Sequence, residues 1–309
     1  MKRLLITGSS GFVGKNILPI LLQNGFTCRC IIHNTPLPTH IKNHPLIEIN
    51  KADITKYSSL KKSFANIDAV IHMAAQVDSI DLNMQKRTNV LGTENIIRIV
   101  KENNINRIIF ISGYPAGLNK KRGVYGETKA KAEELVIHSG LNHTIFRAGV
   151  LYGMDDPRNL SKLLRLAWKF PFAIIPGNGR NLIQPLYCPD MAPPLIASLN
   201  NPISFGKLYL LGGLKAITME SFVDTFLRSN NLKRLKIKIP LTLLKIGSKF
   251  NEVISKNPIL SHERLERFLM NQVLDISLAQ KDLGFNPKPY DETLRDFYQK
   301  CVSSNLNNS

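Results

Sequence analysis

Eight residues near the start, Thr7-Gly8-Ser9-Ser10-Gly11-Phe12-Val13-Gly14, constrain the fold more than any other stretch of the chain. They stand between a short apolar run, Leu4 to Thr7, and an amphipathic segment, Phe12 to Gln23, that ends near Gly25. Glycines at every third position of a strand-to-helix turn let the backbone fold tightly and approach a bound group closely. The amides of the first helical turn have no intrahelical partner, and the helix dipole favours an anion there. A diphosphate is the group such a turn fits, with Gly8, Ser10, Gly11, Phe12, Val13 and Gly14 around it.

The first half goes on alternating β-rich runs with amphipathic segments. Strands are expected at Leu4–Thr7, Thr27–Ile32, Leu46–Ile49, Ala69–His72, Arg107–Ile111 and His143–Arg147. Helices are expected at Phe12–Gln23, Asn83–Glu102 and Tyr125–His138, the last ending at Gly140. This alternation implies parallel βαβ units with right-handed crossovers. Continuous apolar runs such as Ile108-Ile109-Phe110-Ile111 suit a sheet covered on both faces. The expected fold is α/β: a doubly wound parallel sheet of Rossmann type over residues 1–153, with further sheet elements from 180–212. After Gly153 prolines cluster and the helices become less regular. Residues 154–309 are expected to form a smaller mixed lobe that binds substrate, with a frayed polar tail at 303–309.

Composition narrows the function. Hydrophobic residues make up 43% of the 309 and charged residues 21%, which excludes a disordered or fibrous chain. Forty-one Lys and Arg against 23 Asp and Glu give a net charge of +18, so anionic partners are favoured. No nucleic-acid module is recognisable and aromatic residues are only 7%, so specific nucleic-acid binding is not expected. The four cysteines, Cys28, Cys30, Cys188 and Cys301, show no zinc-like spacing, and no metal site is expected. A Gly-x-Ser-x-Gly elbow is absent, which argues against a serine hydrolase. The first apolar run meets Gly8 too early for a signal peptide, and no run reaches membrane-spanning length. The expected location is the cytoplasm. The stretch Leu241 to Ile254, with Lys245, Lys249 and Lys256, offers a face to an anionic membrane surface.

The Gly-x-x-Gly-x-x-Gly spacing resembles the short-chain dehydrogenase/reductase superfamily, and within it the extended branch of NAD-dependent epimerases and dehydratases. Further segments look like that family in the expected order: Asp53-Ile54, His72-Met73-Ala74-Ala75-Gln76, Asn89-Val90-Leu91-Gly92-Thr93, Tyr125-Gly126-Glu127-Thr128-Lys129 and Arg147 to Gly153. The resemblance implies an NAD- or NADP-dependent oxidoreductase or epimerase. Asp53 and Ile54 would contact adenine. Ala74, Ala75, Gln76 and Asn89 would lie beside the cofactor, and Lys129 would hold the nicotinamide ribose. The substrate implied is a phosphorylated or nucleotide-linked sugar, and the helices at Asn83–Glu102 and Tyr125–His138 pair two copies in many relatives.

The chemistry of Tyr125 and Lys129 also follows from the residues. Four apart on a helix, they share a face. A free tyrosine titrates near 10 and is a poor base at neutral pH, but a nearby ammonium lowers that value by roughly 1–3 units. Tyr125 can then exchange a proton with a carbinol or keto oxygen while a nicotinamide exchanges hydride.

Three departures from the family pattern stand against this. Gly113 occupies the place of the family's second hydroxyl; Ser112 lies one residue early, and strand alternation points it to the other face. The segment from Ser112 to Tyr125 is short. Ile183 stands where the family often has an arginine for the substrate diphosphate, leaving Arg180, three residues upstream, as the candidate. Beyond the fingerprint, where an NAD-specific site carries an acid, stand His33 and Asn34, with Arg29 and Lys42 nearby, so NADP is favoured over NAD. The competing account is a binding protein without chemistry, resembling the dinucleotide-binding accessory subunit of respiratory complex I. The run Gln184-Pro185-Leu186-Tyr187 suits it.

Overall fold

Seven parallel strands form one sheet in the computed structural model, which describes residues 2–77, 81–119, 123–156, 159–246, 265 and 270–306. The strands are β1 (Arg3–Thr7), β2 (Thr27–Ile32), β3 (Ile47–Lys51), β4 (Ala69–His72), β5 (Arg107–Gly113), β6 (Asn142–Ala148) and β11 (Lys207–Leu211). Their spatial order is β11-β6-β5-β4-β1-β2-β3. The order reverses at β1, as in a doubly wound sheet, and ligand crevices form at such a switch point, outside the carboxyl ends of the strands.

The helices of this half are α1 (Phe12–Gln23), the single turns α2 (Thr39–Lys42) and α3 (Tyr57–Leu60), α4 (Leu82–Lys86), α5 (Gly92–Glu102) and α6 (Gly123–Ile137). From α5 and α6, Ile96, Val100, Ala132 and Val136 pack on Val70, Ile108 and Phe110 of the sheet. Arg107 is buried on the alternate face of β5 and has no carboxylate partner among the described residues. It donates instead to Thr144, to Asn142 O and to the carbonyls of Ser198 and Leu199, at the end of a helix that follows later in the chain.

The remaining described helices are α7 (Asn159–Lys169), α8 (Ala192–Leu199), α9 (Met219–Ser229), α10 (Ser277–Leu283) and α11 (Tyr290–Leu306). The chain divides into two compact units. One comprises Met1–Ala148, Met191–Leu211 and Ile276–Phe285, and the other Gly149–Asp190, Gly212–Asp275 and Asn286–Ser309. The second has its own core, in which Tyr152, Phe222, Phe226 and Phe297 pack with Leu160, Leu164 and Leu294. Its strands pair two by two: β7 (Leu151–Tyr152) with β10 (Leu186–Tyr187), β9 (Leu182–Ile183) with β12 (Ile217–Thr218), and β8 (Phe172–Pro176) with β13 (Leu235–Ile239). Of the expected elements from 180–212, only β11 joins the large sheet.

Two expectations are corrected. The helix at Asn83–Glu102 is not uniform: a π turn, Arg87–Leu91, separates α4 from α5. The tail expected to fray at 303 is helical to Leu306, with the Ser303 and Ser304 hydroxyls bonded back to Gln299 O and Cys301 O. Residues 307–309 lie outside the described residues, as do 247–254 of the Leu241 to Ile254 stretch, with Lys249, and Lys256 beyond it. Among the described residues no helix is long and apolar enough to cross a membrane, and no group of three or more His, Cys, Asp or Glu could hold a metal ion.

Candidate active site

The site is built at the carboxyl ends of β1, β4 and β5. Gly8 follows β1 at φ +73°, and a Cβ there would lie 2.6 Å from the Ala74 nitrogen. A Cβ on Gly14 would lie 2.4 Å from the Gly8 oxygen. Any side chain at either position would force the β1–α1 turn away from the loop after β4 or from its own helix. Gly11 caps α1 without a side-chain hydrogen bond, and no acid stands in the first turn. The Gly11 amide is taken by Gly8 O, so it is the first-turn amides of Phe12 and Val13 that keep the anion-binding character of an open helix end. Ser10, Phe12 and Val13 are half-buried around them.

A directional chain of hydrogen bonds ties β1, β4 and α5 together. The Ala74 amide donates to Thr7 Oγ1 at 3.2 Å, and Thr7 Oγ1 lies 2.6 Å from His72 Nδ1. His72 Nε2 lies 3.0 Å from Thr93 Oγ1, which itself donates to Asn89 O at 2.7 Å. Because the Thr93 hydroxyl is already a donor, it accepts from Nε2–H, so Nδ1 accepts from Thr7. His72 is fully buried and neutral: burial, with the Lys129 charge adding to it, pushes its pKa down to about 3.

Asn89 sits in the π turn, where its backbone carbonyl is taken by the Thr93 side chain. Its carboxamide accepts from the Gln76 amide at 2.8 Å and donates to Gln76 O and to Thr128 Oγ1. These bonds make Asn89 the clamp of the Ala74–Gln76 loop. Ala75 is half-buried within that loop. Thr128 in turn donates to Tyr125 O, so the clamp reaches the helix that carries the phenol.

Tyr125, Lys129 and Glu133 fall at successive four-residue intervals on α6. Lys129 is buried, with Nζ 2.7 Å from Ile111 O and 3.8 Å from the centre of the Phe110 ring. Burial pushes its amine down to about 7, with the Glu133 charge working the other way. Glu133 is held by Arg147 of β6 through both carboxylate oxygens, the shortest contact being 2.6 Å. The i, i+8 position of Glu133 was readable from helical spacing, but its Arg147 partner depends on tertiary packing. Gly113 lies under the phenol: a Cβ on it would be 2.9 Å from Tyr125 Oη and 3.1 Å from the ring edge. Ser112, on the Phe110 face of β5 by alternation, is buried, and its hydroxyl has no hydrogen-bond partner among the described residues.

The other expected residues are more dispersed. Asp53 accepts from both the amide and the hydroxyl of Thr55, and its second oxygen faces His33 Nε2 at 3.9 Å. Burial opposes its charge, yet the Thr55 bonds with His33 and Lys56 nearby hold its carboxyl below the ordinary value. Ile54 is buried and its carbonyl accepts from Asn95. His33 is exposed at the end of β2. Arg29 points elsewhere, to Glu48 and the carbonyls of Ser63 and Ala65. Arg180 belongs to the second unit, exposed ahead of β9, while Ile183 is buried in that unit's core.

The model of the NAD dependent epimerase/dehydratase family matches residues 4–212. The chain belongs to that family. UDP-glucose 4-epimerase of Vibrio cholerae is 23% identical over 333 residues, which cover 99% of this chain and 96% of the relative. A mitochondrial protein of Dictyostelium discoideum, NADH dehydrogenase (ubiquinone) 1 alpha subcomplex subunit 9, is 24% identical over 94% of this chain and 82% of its own length. The solved structure of UDP-glucose 4-epimerase from Thermotoga maritima, with UDP-glucose, matches with a TM-score of 0.77 at 16% identity, over 97% of this chain and 99% of that one. At such identity the likeness is one of fold.

Proposed function

We propose that the chain is an NADP(H)-preferring oxidoreductase or epimerase acting at a carbinol or keto carbon of a nucleotide-linked sugar, with Tyr125 as its acid/base. The observation that carries this reading is the phenol of Tyr125 standing over Gly113, one helical turn from a buried amine. The side-chain-free cradle of Gly8, Gly11 and Gly14 fits a diphosphate, which the amides around Ser10, Phe12 and Val13 would hold. Lys129 would hold the nicotinamide ribose, and Asp53 with Ile54 would flank adenine. When bound, the nicotinamide supplies or accepts the hydride.

The protein's own part is proton transfer and orientation. Tyr125 Oη gives a proton to the substrate oxygen or takes one from it, and the charged form of Lys129 favours the phenolate. With glycine at 113, the reacting oxygen is held by one hydroxyl rather than two. The preference for NADP rests on the end of β2, where His33 and Asn34 present no carboxylate to repel a 2′-phosphate. Replacing His33 with Asp is expected to reverse the ratio of NADP to NAD affinity.

The test is turnover of the pure protein with NADPH and a panel of keto-sugar nucleotides, compared with Tyr125→Phe. Absence of turnover with every substrate, or equal rates in the variant, overturns the catalytic assignment. The missing hydroxyl at Gly113 favours a second reading, in which the bound dinucleotide is a structural element. Co-purified NADP(H) that resists exchange, without turnover, would establish it.

A further inference from the structure

One strand of the second unit has its polarity reversed. β13 reads Leu235-Lys236-Ile237-Lys238-Ile239, so basic and apolar side chains take opposite faces of the ribbon. In its register with β8, Lys236 and Lys238 fall opposite the buried Ala173 and Ile175, and Leu235 and Ile237 opposite Phe172 and Ile174. The lysines turn back to the carboxylates of α9. Lys236 Nζ lies 3.1 Å from Glu220 and 3.0 Å from Asp224, and Lys238 Nζ 2.8 Å from Glu220.

The apolar set is left facing water, with Leu235 70% exposed. Phe170, itself exposed, stacks on Phe172 at 5.5 Å and widens the face. Just beyond the strand, Leu243 and Ile246 are exposed as well. The platform is anchored, because Arg234 donates to the carbonyls of Ala167 and Trp168 at the end of α7. Single exposed aliphatic residues need no explanation, but a continuous apolar face is a mark of contact.

Charge decides what that contact is. Between Lys233 and Ile246 there are five basic residues and no acid, in a chain of net charge +18. Lys236 and Lys238 are neutralised on the inner face, while Lys169 and Lys233 are exposed along the margin. A second copy would set this basic margin against an equally basic one. Nucleic acid would gain nothing from the aliphatic centre. We propose that this face seats on an anionic lipid surface, its apolar side chains entering the boundary between headgroups and acyl chains while the marginal lysines meet lipid phosphate and carboxylate.

The experiment is vesicle flotation of the full chain, with phosphatidylcholine alone and with phosphatidylserine mixed in. The expected result is flotation only with the mixed vesicles, weakened about tenfold or more by Leu235→Thr combined with Ile237→Thr. Threonine keeps the strand propensity, and an unchanged melting temperature checks the fold. Should that variant fail to fold, Leu243→Gln with Ile246→Gln makes the same comparison. No flotation of the wild type overturns the proposal. So does flotation that both variants retain, which would reflect net charge alone. A concentration-dependent dimer that the substitutions abolish would also overturn it, placing a second copy on the face. None of these outcomes bears on the dinucleotide site.

Discussion

The phenol oxygen of Tyr125 stands 2.9 Å from the point that a β-carbon on Gly113 would occupy. Gly113 is extended, with φ −124° and ψ 151°, so any residue could adopt its backbone and the constraint is purely one of space. Gly113→Ala should therefore push the phenol aside without disturbing β5. In steady-state kinetics kcat is expected to fall by about tenfold to a hundredfold, because misplacing an acid/base by an ångström has that effect. Affinity for NADP(H), measured by fluorescence titration, should stay within about twofold, since the proposed phosphate cradle at Gly8–Gly14 lies elsewhere. Unaltered kcat would show that the phenol does not act from this position.

The three fingerprint glycines should not respond alike. Gly8→Ala meets both a positive φ and the Ala74 backbone, and Gly14→Ala meets two carbonyl oxygens within 2.5 Å. Each is expected to cost about 3 kcal/mol or more in thermal or denaturant unfolding and to abolish dinucleotide binding. At Gly11 the nearest atom to an added Cβ is 3.3 Å away and φ is −80°. Gly11→Ala should cost about 1 kcal/mol or less in stability, while its methyl group, exposed at the turn, still weakens binding. Equal losses of stability at all three positions would contradict the packing described.

What was legible in the sequence was whatever local rules determine. β2 and β4 fall on the expected residues because their runs are apolar and bounded by turn residues, and β5 runs two residues further than expected. Tyr125 and Lys129 share a face because helical spacing requires it. The π turn at Arg87–Leu91 was invisible, since periodicity cannot register one extra residue whose reward is the Asn89 clamp on Gln76 and Thr128. Gln184, noted only as part of a familiar run, proves to be a staple: it donates to Gly213 O and accepts from the Leu274 amide. Arg107 gave no signal either, because an arginine buried among carbonyls obeys no pattern along the chain.

His72 makes stability depend on acid. Its value in the folded chain, about 3, is below the ordinary 6.5, so the unfolded chain binds the proton first. Its contribution is therefore complete above pH 6.5 and is lost as pH falls toward 3, amounting to roughly 5 kcal/mol over the full range. His72→Gln removes the titrating ring. It should cost about 1–3 kcal/mol at neutral pH through broken buried hydrogen bonds, and unfolding followed from pH 7 to 4 should show a shallower acid decline than the wild type. Parallel pH curves would mean that another group carries the acid sensitivity.

With the ribose held by Lys129 as proposed, dinucleotide binding should depend on pH in the opposite sense. With its amine pushed down to about 7, the unliganded chain holds it mostly neutral at pH 8. Ribose hydroxyls accepting from Nζ, with anionic phosphates nearby, favour the ammonium, so binding at pH 8 should take up close to one proton. Calorimetry in buffers of different ionisation enthalpy measures that uptake directly. It should vanish in Lys129→Met. Glu133→Gln removes a nearby charge that raises the amine, so more of Lys129 is neutral before binding and the uptake should begin at lower pH. Binding without proton uptake in the wild type would place the ribose away from Lys129. Uptake that persists in Lys129→Met would assign it to another group.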